Sequence, residues 1–250
     1  MPRGVNALDE ARLQGRLWTP QMANPSLMFV ARPEALEVVS GNVATAYDQS
    51  GFVRNATGSS RPAFSTRYGG AINVTTGTRL SLASRLTFSG DFTLFTVMQN
   101  NSGGIFVPFD TSSSASGSTT NLKYMWFSGW GQYWTSFVSG NVITSTAMSG
   151  VLAQAHRRSG TAGSFWENGS RTNYTANLTA CEINDAAGGR QTNIATNYFL
   201  MTVIAFDRAL SDFDVAKVQG WMAWDRADYG FRNTLPASHP FANRPPLIGD

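Results

Sequence analysis

Between Ser26 and Phe206 the sequence runs in apolar stretches of strand length, each stopped by turn residues, and that rhythm limits what the chain can fold into. Ser26-Leu27-Met28-Phe29-Val30-Ala31 is halted by Arg32-Pro33. Phe92-Thr93-Leu94-Phe95-Thr96-Val97-Met98 sets threonines among apolar residues at period two, which predicts a strand with its aromatic and branched side chains on one buried face. Asn101-Ser102-Gly103-Gly104 interrupts it before Ile105-Phe106-Val107. Phe199 to Phe206 is apolar almost throughout, as in a central strand covered on both faces. Asn168-Gly169 predicts a type I′ hairpin turn, because both central residues of that turn need positive φ. The Ser/Thr/Gly-rich stretch 110–120 reads as an exposed loop.

One helix is strongly signalled in the body. Ser211 is placed to cap it, and Asp214 to return the capping contact. Phe213, Val218, Trp221 and Met222 supply an apolar stripe, and Gly230 a stop. Ala7 to Leu13 reads either as a second, shorter helix or as part of an arm that orders against a partner. Many strands with one late helix predict an all-β fold, an antiparallel β-sandwich with one late α-helix. With 250 residues, 42% of them apolar, a sizeable core is available, and no repeat or linker divides it. The expected organisation is an N-terminal arm over 1–16, one domain over 17–232 and a proline-rich strap over 233–250.

Several function classes fall away on charge and chemistry. No run approaches membrane-spanning length, and the first residues carry no apolar signal core. The net charge is only +3, and of 19 basic residues only Lys123 and Lys217 are lysines. No basic block resembles a nucleic-acid arm, and His156-Arg157-Arg158 reads as a polar strand end beside a turn. Neither nucleic acid nor a membrane is therefore an expected partner. Cys181 is the lone cysteine, which excludes intramolecular disulfides and cysteine-built metal sites.

Catalytic constellations are thin. No Gly-x-Ser-x-Gly elbow occurs, and His239 lies in a proline-bounded tail that orients a base poorly. No strand carries an alternating acidic pattern of the kind glycoside hydrolases use; Glu182/Asp185 and Asp212/Asp214 come nearest, and the latter pair suits a helix start. Asp48, Asn184 and Asp185 sit in plausible loops for calcium, but turn roles explain them and no metal site is assigned. Six Asn-x-Ser/Thr sequons, at Asn55, Asn73, Asn100, Asn168, Asn173 and Asn177, read as by-products of β-turn composition. The densest feature is aromatic: Tyr124, Trp126, Phe127, Trp130, Tyr133, Trp134 and Phe137. Such rings either pack a hairpin into the core or offer faces on which sugar C–H edges stack. Tyr124, Trp126, Trp130, Tyr133 and Trp134 are the candidate surface for a glycan or a partner.

Taken together, several stretches resemble the concanavalin A-like lectin/glucanase (laminin-G-like jelly-roll) superfamily domains of bacteriophage virion proteins. Leu17-Trp18-Thr19-Pro20 resembles their opening, and Gly41-Asn42-Val43 with Tyr47-Asp48-Gln49-Ser50-Gly51 resembles "G-N-V … W-x-D-x-S-G". Arg61-Pro62-Ala63-Phe64-Ser65 is similar to "R-P-x-Y-S", and Ser164 to Gly169 to the "Y-V-N-G" hairpin. Phe206-Asp207-Arg208-Ala209-Leu210-Ser211 resembles "Y-D-R-A-L-S" and Gly220-Trp221-Met222-Ala223-Trp224 "G-Y-L-A-W". Leu235-Pro236-Ala237-Ser238-His239-Pro240-Phe241 with Pro245-Pro246 resembles "L-P-x-x-H-P-Y … P-P". The series spans 17–246 in order. Met28-Phe29-Val30-Ala31 departs from "L-W-L-D-A" and lacks its Asp, and the glucanase carboxylates are absent.

The resemblance implies a jelly roll of two antiparallel sheets and a structural protein of a phage particle, as a capsid decoration or a tail or fibre component. Its implied partners are other virion proteins and further copies of itself as a homo-oligomer, in a virion assembled in the host cytoplasm; the alternative is a carbohydrate-binding module for host-surface or environmental glycans. No catalytic residue and no cofactor is assigned. A non-enzymatic chain, without hydrolase activity on polysaccharides, is expected.

Overall fold

A computed structural model describes residues 15–100, 105–106, 122–127, 131–136, 151–175, 181–187, 197–231 and 235–250. Its strands are β1 (Leu27–Val30), β2 (Leu36–Val39), β3 (Asn42–Ala46), β4 (Ala56–Thr57), β5 (Ala63–Ser65), β6 (Ala71–Thr75), β7 (Leu80–Phe88) and β8 (Phe92–Asn100). Next come β9 (Ile105–Phe106), β10 (Leu122–Phe127), β11 (Gly131–Ser136), β12 (Val151–Ser159) and β13 (Ala162–Glu167). Then follow β14 (Ser170–Thr175), β15 (Cys181–Ala187) and β16 (Asn197–Phe206), and the helix α1 (Asp212–Asp225). Thirteen strands form one sheet in the order β14-β13-β12-β8-β16-β6-β5-β3-β4-β7-β15, with β1 added to β16 and β2 to β3. All strand pairings among the described residues are antiparallel. The fold is an all-β sandwich with a single late helix among the described residues, as the strand rhythm predicts.

The sheet doubles back on itself, because strands far apart in that order share one core. Leu80 and Leu82 of β7 and Ile183 of β15 pack with Phe92 and Leu94 of β8 and Leu200 and Val203 of β16. A second core lies on the outer face of the same central strands. There Met28, Phe95, Ala155, Ile204 and Phe206 meet Val215, Val218, Trp221 and Met222 of α1. β16 is therefore covered on both sides, as its apolar run predicts. β8 departs from its reading, since both of its faces are buried and not one. Thr93 belongs to the helix side, where its hydroxyl donates to the Arg208 carbonyl (2.9 Å) and accepts from the Leu210 amide (3.0 Å).

Local chemistry accounts for the turns. Asn168 and Gly169 take φ of 48° and 79°, the type I′ pair, and the Asn168 side chain also accepts from the Ala153 amide at 2.9 Å. Ser211 Oγ accepts from the Asp214 amide at 3.1 Å, so the expected cap forms. Phe213, expected in the apolar stripe, is 48% exposed and tilts against Phe241. Gly230 ends the short turn after α1, and α1 itself stops at Asp225.

Residues 235–250 lie along the helix. A Cβ on Gly220 would stand 2.6 Å from Phe241 Cβ, so only glycine admits that ring. Trp224 Nε1 donates to the Phe241 carbonyl (2.8 Å), and Leu17 bridges to Leu247.

Candidate functional site

Of the sequence-based aromatic candidates, Tyr124 and Trp126 of β10 and Tyr133 and Trp134 of β11 fall on a separate three-stranded sheet, β11-β10-β9. Tyr124 pairs in register with Trp134, Met125 with Tyr133, and Trp126 with Gln132. The side chains of these strands, and the whole of Trp130, lie outside the described residues, as do the arm to residue 14 and the 110–120 loop.

The loop reading of the cation candidates holds only for Asp48. Its carboxylate already accepts from the Met28 amide (3.0 Å), the Ser50 amide (3.0 Å), the Ser50 hydroxyl (2.7 Å) and the Arg54 amide (2.9 Å). Those bonds tie the 47–55 loop to β1 and occupy the oxygens a cation would need. Asn184 and Asp185 are strand residues of β15, and Asp185 is buried with Oδ1 2.5 Å from Ser81 Oγ. His156, expected at a polar strand end, is buried inside the sandwich, where burial pushes it down to about 3 and its ring stacks on Phe92. His239 is likewise buried and pushed down to about 4, and its Nδ1 accepts from the Phe241 amide. The void inside the sandwich, lined by Phe29, Leu80 and Leu200 among others, is about 10 Å³ and apolar, room for no ligand.

The best-built surface lies at the rim of the helix-side core, where the turn before β6 meets the end of α1. Tyr68, Gly69 and Gly70 have φ of 56°, 74° and 128°, three consecutive residues outside the ordinary backbone regions. Such strain persists only where the surroundings impose it. Here Arg226, buried at the end of α1, imposes it. Its guanidinium donates to the carbonyls of Tyr68, Gly70 (2.9 Å), Ala31 (3.4 Å) and Met201 (3.2 Å). Met201 sits in the irregularity of β16 between Leu200 and Thr202, which leaves its carbonyl available. Burial lowers the Arg226 pKa to about 10, against the opposing pull of Asp225. Asp225 in turn pairs with Arg32.

The turn so held presents aromatic rings. Tyr68 meets Phe199, Tyr229 and Phe231 edge-on, at 6.2, 6.4 and 5.7 Å between centroids. Tyr229 is 51% exposed, and a Cβ on Gly69 would stand 3.0 Å from its ring, so the glycine lets the ring approach the backbone closely. Arg67 is exposed, with its guanidinium 5.1 Å from the Phe199 centroid. Phe199 is buried and flanked in register by Asn73 of β6 and Gln99 of β8, whose carboxamide oxygens are themselves buried and have no hydrogen-bond partner among the described residues. The exposed Tyr229 ring and the exposed Arg67 guanidinium, both beside a braced turn, suit the binding of a polar ligand with an apolar face. Sequence reasoning missed this site. The only local signals are Tyr68 before Gly69-Gly70 and Tyr229 before Gly230.

No protein-family model matches the chain, and no curated protein matches it. Solved structures do. Trypanosoma rangeli sialidase is similar with a TM-score of 0.56 at 10% identity, over 77% of this chain and 32% of the sialidase. A mutant of that sialidase displaying trans-sialidase activity is similar with 0.56 at 9% identity, over 82% and 34%. The binding domain of botulinum neurotoxin DC in complex with SialylT gives 0.51 at 10% identity, over 77% and 50%. The chain thus spans about a third of the sialidases' length. At this identity the likeness shows the fold alone, a lectin-like antiparallel sandwich.

These similarities correct one expectation. The exclusion of an enzyme does not stand, because the similar structures include sialidases. Reading acids along single strands misses carboxylates that tertiary folding brings together from distant segments, so it cannot carry that exclusion. Nor does a fold-level likeness make the chain an enzyme.

Proposed function

We propose that the chain is a carbohydrate-binding module and that its glycan rests on the Tyr68–Tyr229 surface. The observation that carries this reading is the half-exposed Tyr229 ring, laid on Gly69 and braced through a strained turn by buried Arg226. A ring fixed in advance loses little entropy when a sugar's C–H face stacks on it. A lectin-like sandwich supports the reading, and one similar structure is a toxin binding domain in complex with SialylT. The test is a glycan array with the wild-type chain, Tyr229→Ala and Trp134→Ala. Binding lost in Tyr229→Ala but kept in Trp134→Ala favours the rim; the reverse moves the site to the Tyr124, Trp126, Trp130, Tyr133 and Trp134 cluster. No binding to any glycan rejects the reading.

A second reading, a structural role on a bacteriophage particle, rests on the ordered motif series from Leu17 to Pro246. Other virion proteins and further copies of the chain are its partners. A chain lacking residues 1–16 then folds but fails to join particles.

A further inference from the structure

The charges around the rim bear on which sugar it takes. Among the described residues, the buried acid near the surface is already engaged: Asp225 is 5% exposed and pairs with Arg32, with Arg226 Nε 3.9 Å away. Glu34 is exposed and lies 3.9 Å from Arg32. Positive charge therefore exceeds negative here, Arg32, Arg67 and Arg226 standing against Asp225 and Glu34. Arg67 is different. Its side chain makes no ion pair with a described residue, and its guanidinium is parked on the Phe199 ring beside Tyr68. A guanidinium held on an aromatic face keeps its in-plane donors free, and those donors match carboxylate and sulfate oxygens two at a time.

Resting on the carbohydrate reading above, we infer that the rim takes an anionic saccharide, whose carboxylate or sulfate pairs with Arg67 while the neighbouring ring stacks on Tyr229. Tyr68 contacts both parts of the surface, its ring centroid 6.2 Å from Phe199, on which Arg67 rests, and 6.4 Å from Tyr229.

The experiment is calorimetric titration of the full chain with three probes: galacturonate oligomers, sulfated dextran oligomers and unsulfated dextran oligomers. The expected result is binding of at least one acidic probe, weakened about tenfold in Arg67→Gln and reduced at high salt, with the neutral probe far weaker. Carboxylate and sulfate are told apart by which acidic probe binds. Arg61→Gln removes the same charge from an exposed position in another loop and controls for bulk attraction to a basic protein. Equal losses in Arg61→Gln and Arg67→Gln overturn the inference. Dextran bound as tightly as its sulfated form, and lost in Tyr229→Ala, overturns it while leaving the carbohydrate reading intact. No binding of any probe overturns the inference, and the glycan array decides the carbohydrate reading separately.

Discussion

Two loops of this molecule hold exposed aromatic residues on strained backbone, and they do it with opposite chemistry. In the turn before β6, a buried cation gathers carbonyls: Arg226 donates to four main-chain oxygens and so fixes Tyr68, Gly69 and Gly70. In the loop after β3, an anion gathers donors: Asp48 accepts from three amides and a hydroxyl, while Val53 stands at a φ of 57° with Phe52 exposed before it. The cation's partners come from segments up to 195 residues away, whereas three of the anion's four donors lie within six residues of it. A long-range hub ties a surface to the core and makes its geometry a property of the whole fold. A more local hub shapes the loop itself and ties it to a single neighbouring segment, residues 26–30.

The harshest test of that contrast spares both loops. His156 and His239 have folded pKa values of about 3 and about 4, below the ordinary 6.5. Between those limits the unfolded chain binds more protons, so stability is complete above about pH 6.5 and falls as pH drops. The slope is about 1.4 kcal/mol per pH unit for each histidine. Denaturant melts across that range in wild type and His156→Gln check it, and the variant should lose part of the slope. If the slope is unchanged, the acid response lies elsewhere, with the loops as first suspects.

Next in size is Arg226→Met, which strands four main-chain carbonyls and should cost about 3–5 kcal/mol. Gly70→Ala follows, at roughly 2–3 kcal/mol, since its Cβ would stand 2.2 Å from the Ala31 carbonyl oxygen at a φ that disfavours alanine. Asp48→Ala should cost about 2 kcal/mol. Hydrogen exchange sharpens the comparison: Asp48→Ala should loosen amides of the 47–55 loop and the Met28 amide of β1, and Arg226→Met amides in β1, β6 and β16 together. A spread of exchange in Asp48→Ala as wide as in Arg226→Met would erase the distinction. The smallest effect is Val53→Gly, a gain of about 0.5 kcal/mol in thermal melts, because glycine relieves the left-handed strain but costs unfolded-state entropy.

Local chemistry was legible in the sequence. Asn168-Gly169, the Ser211–Asp214 cap and the two-sided burial of β16 each follow from a handful of adjacent residues. The rim was not legible, because it joins residues 67–70, 199 and 226–229, and nothing in any one segment announces the others. The turn role of Asp48 was legible, but its bond to the Met28 amide of β1, twenty residues earlier, was not. Aromatic density pointed to Tyr124 through Trp134, yet the rings that order the helix-side rim are spread thinly along the chain. Counting rings finds clusters in sequence, whereas a rim is a cluster in space.

The place of β16 in the sheet also governs when this protein can come into being. It pairs with β8, with β6 and with β1, so the middle of the molecule is closed by the last strand to be synthesised. Until residue 206 has left the ribosome, β1, β6 and β8 have no common neighbour, and their apolar edges face the cytosol of whatever cell makes them. Folding must therefore wait for nearly the whole chain and then form contacts of very long sequence separation, a slow route. Expression at low temperature or alongside chaperones that shield nascent chains should raise the soluble yield far more than for a helical protein of the same length.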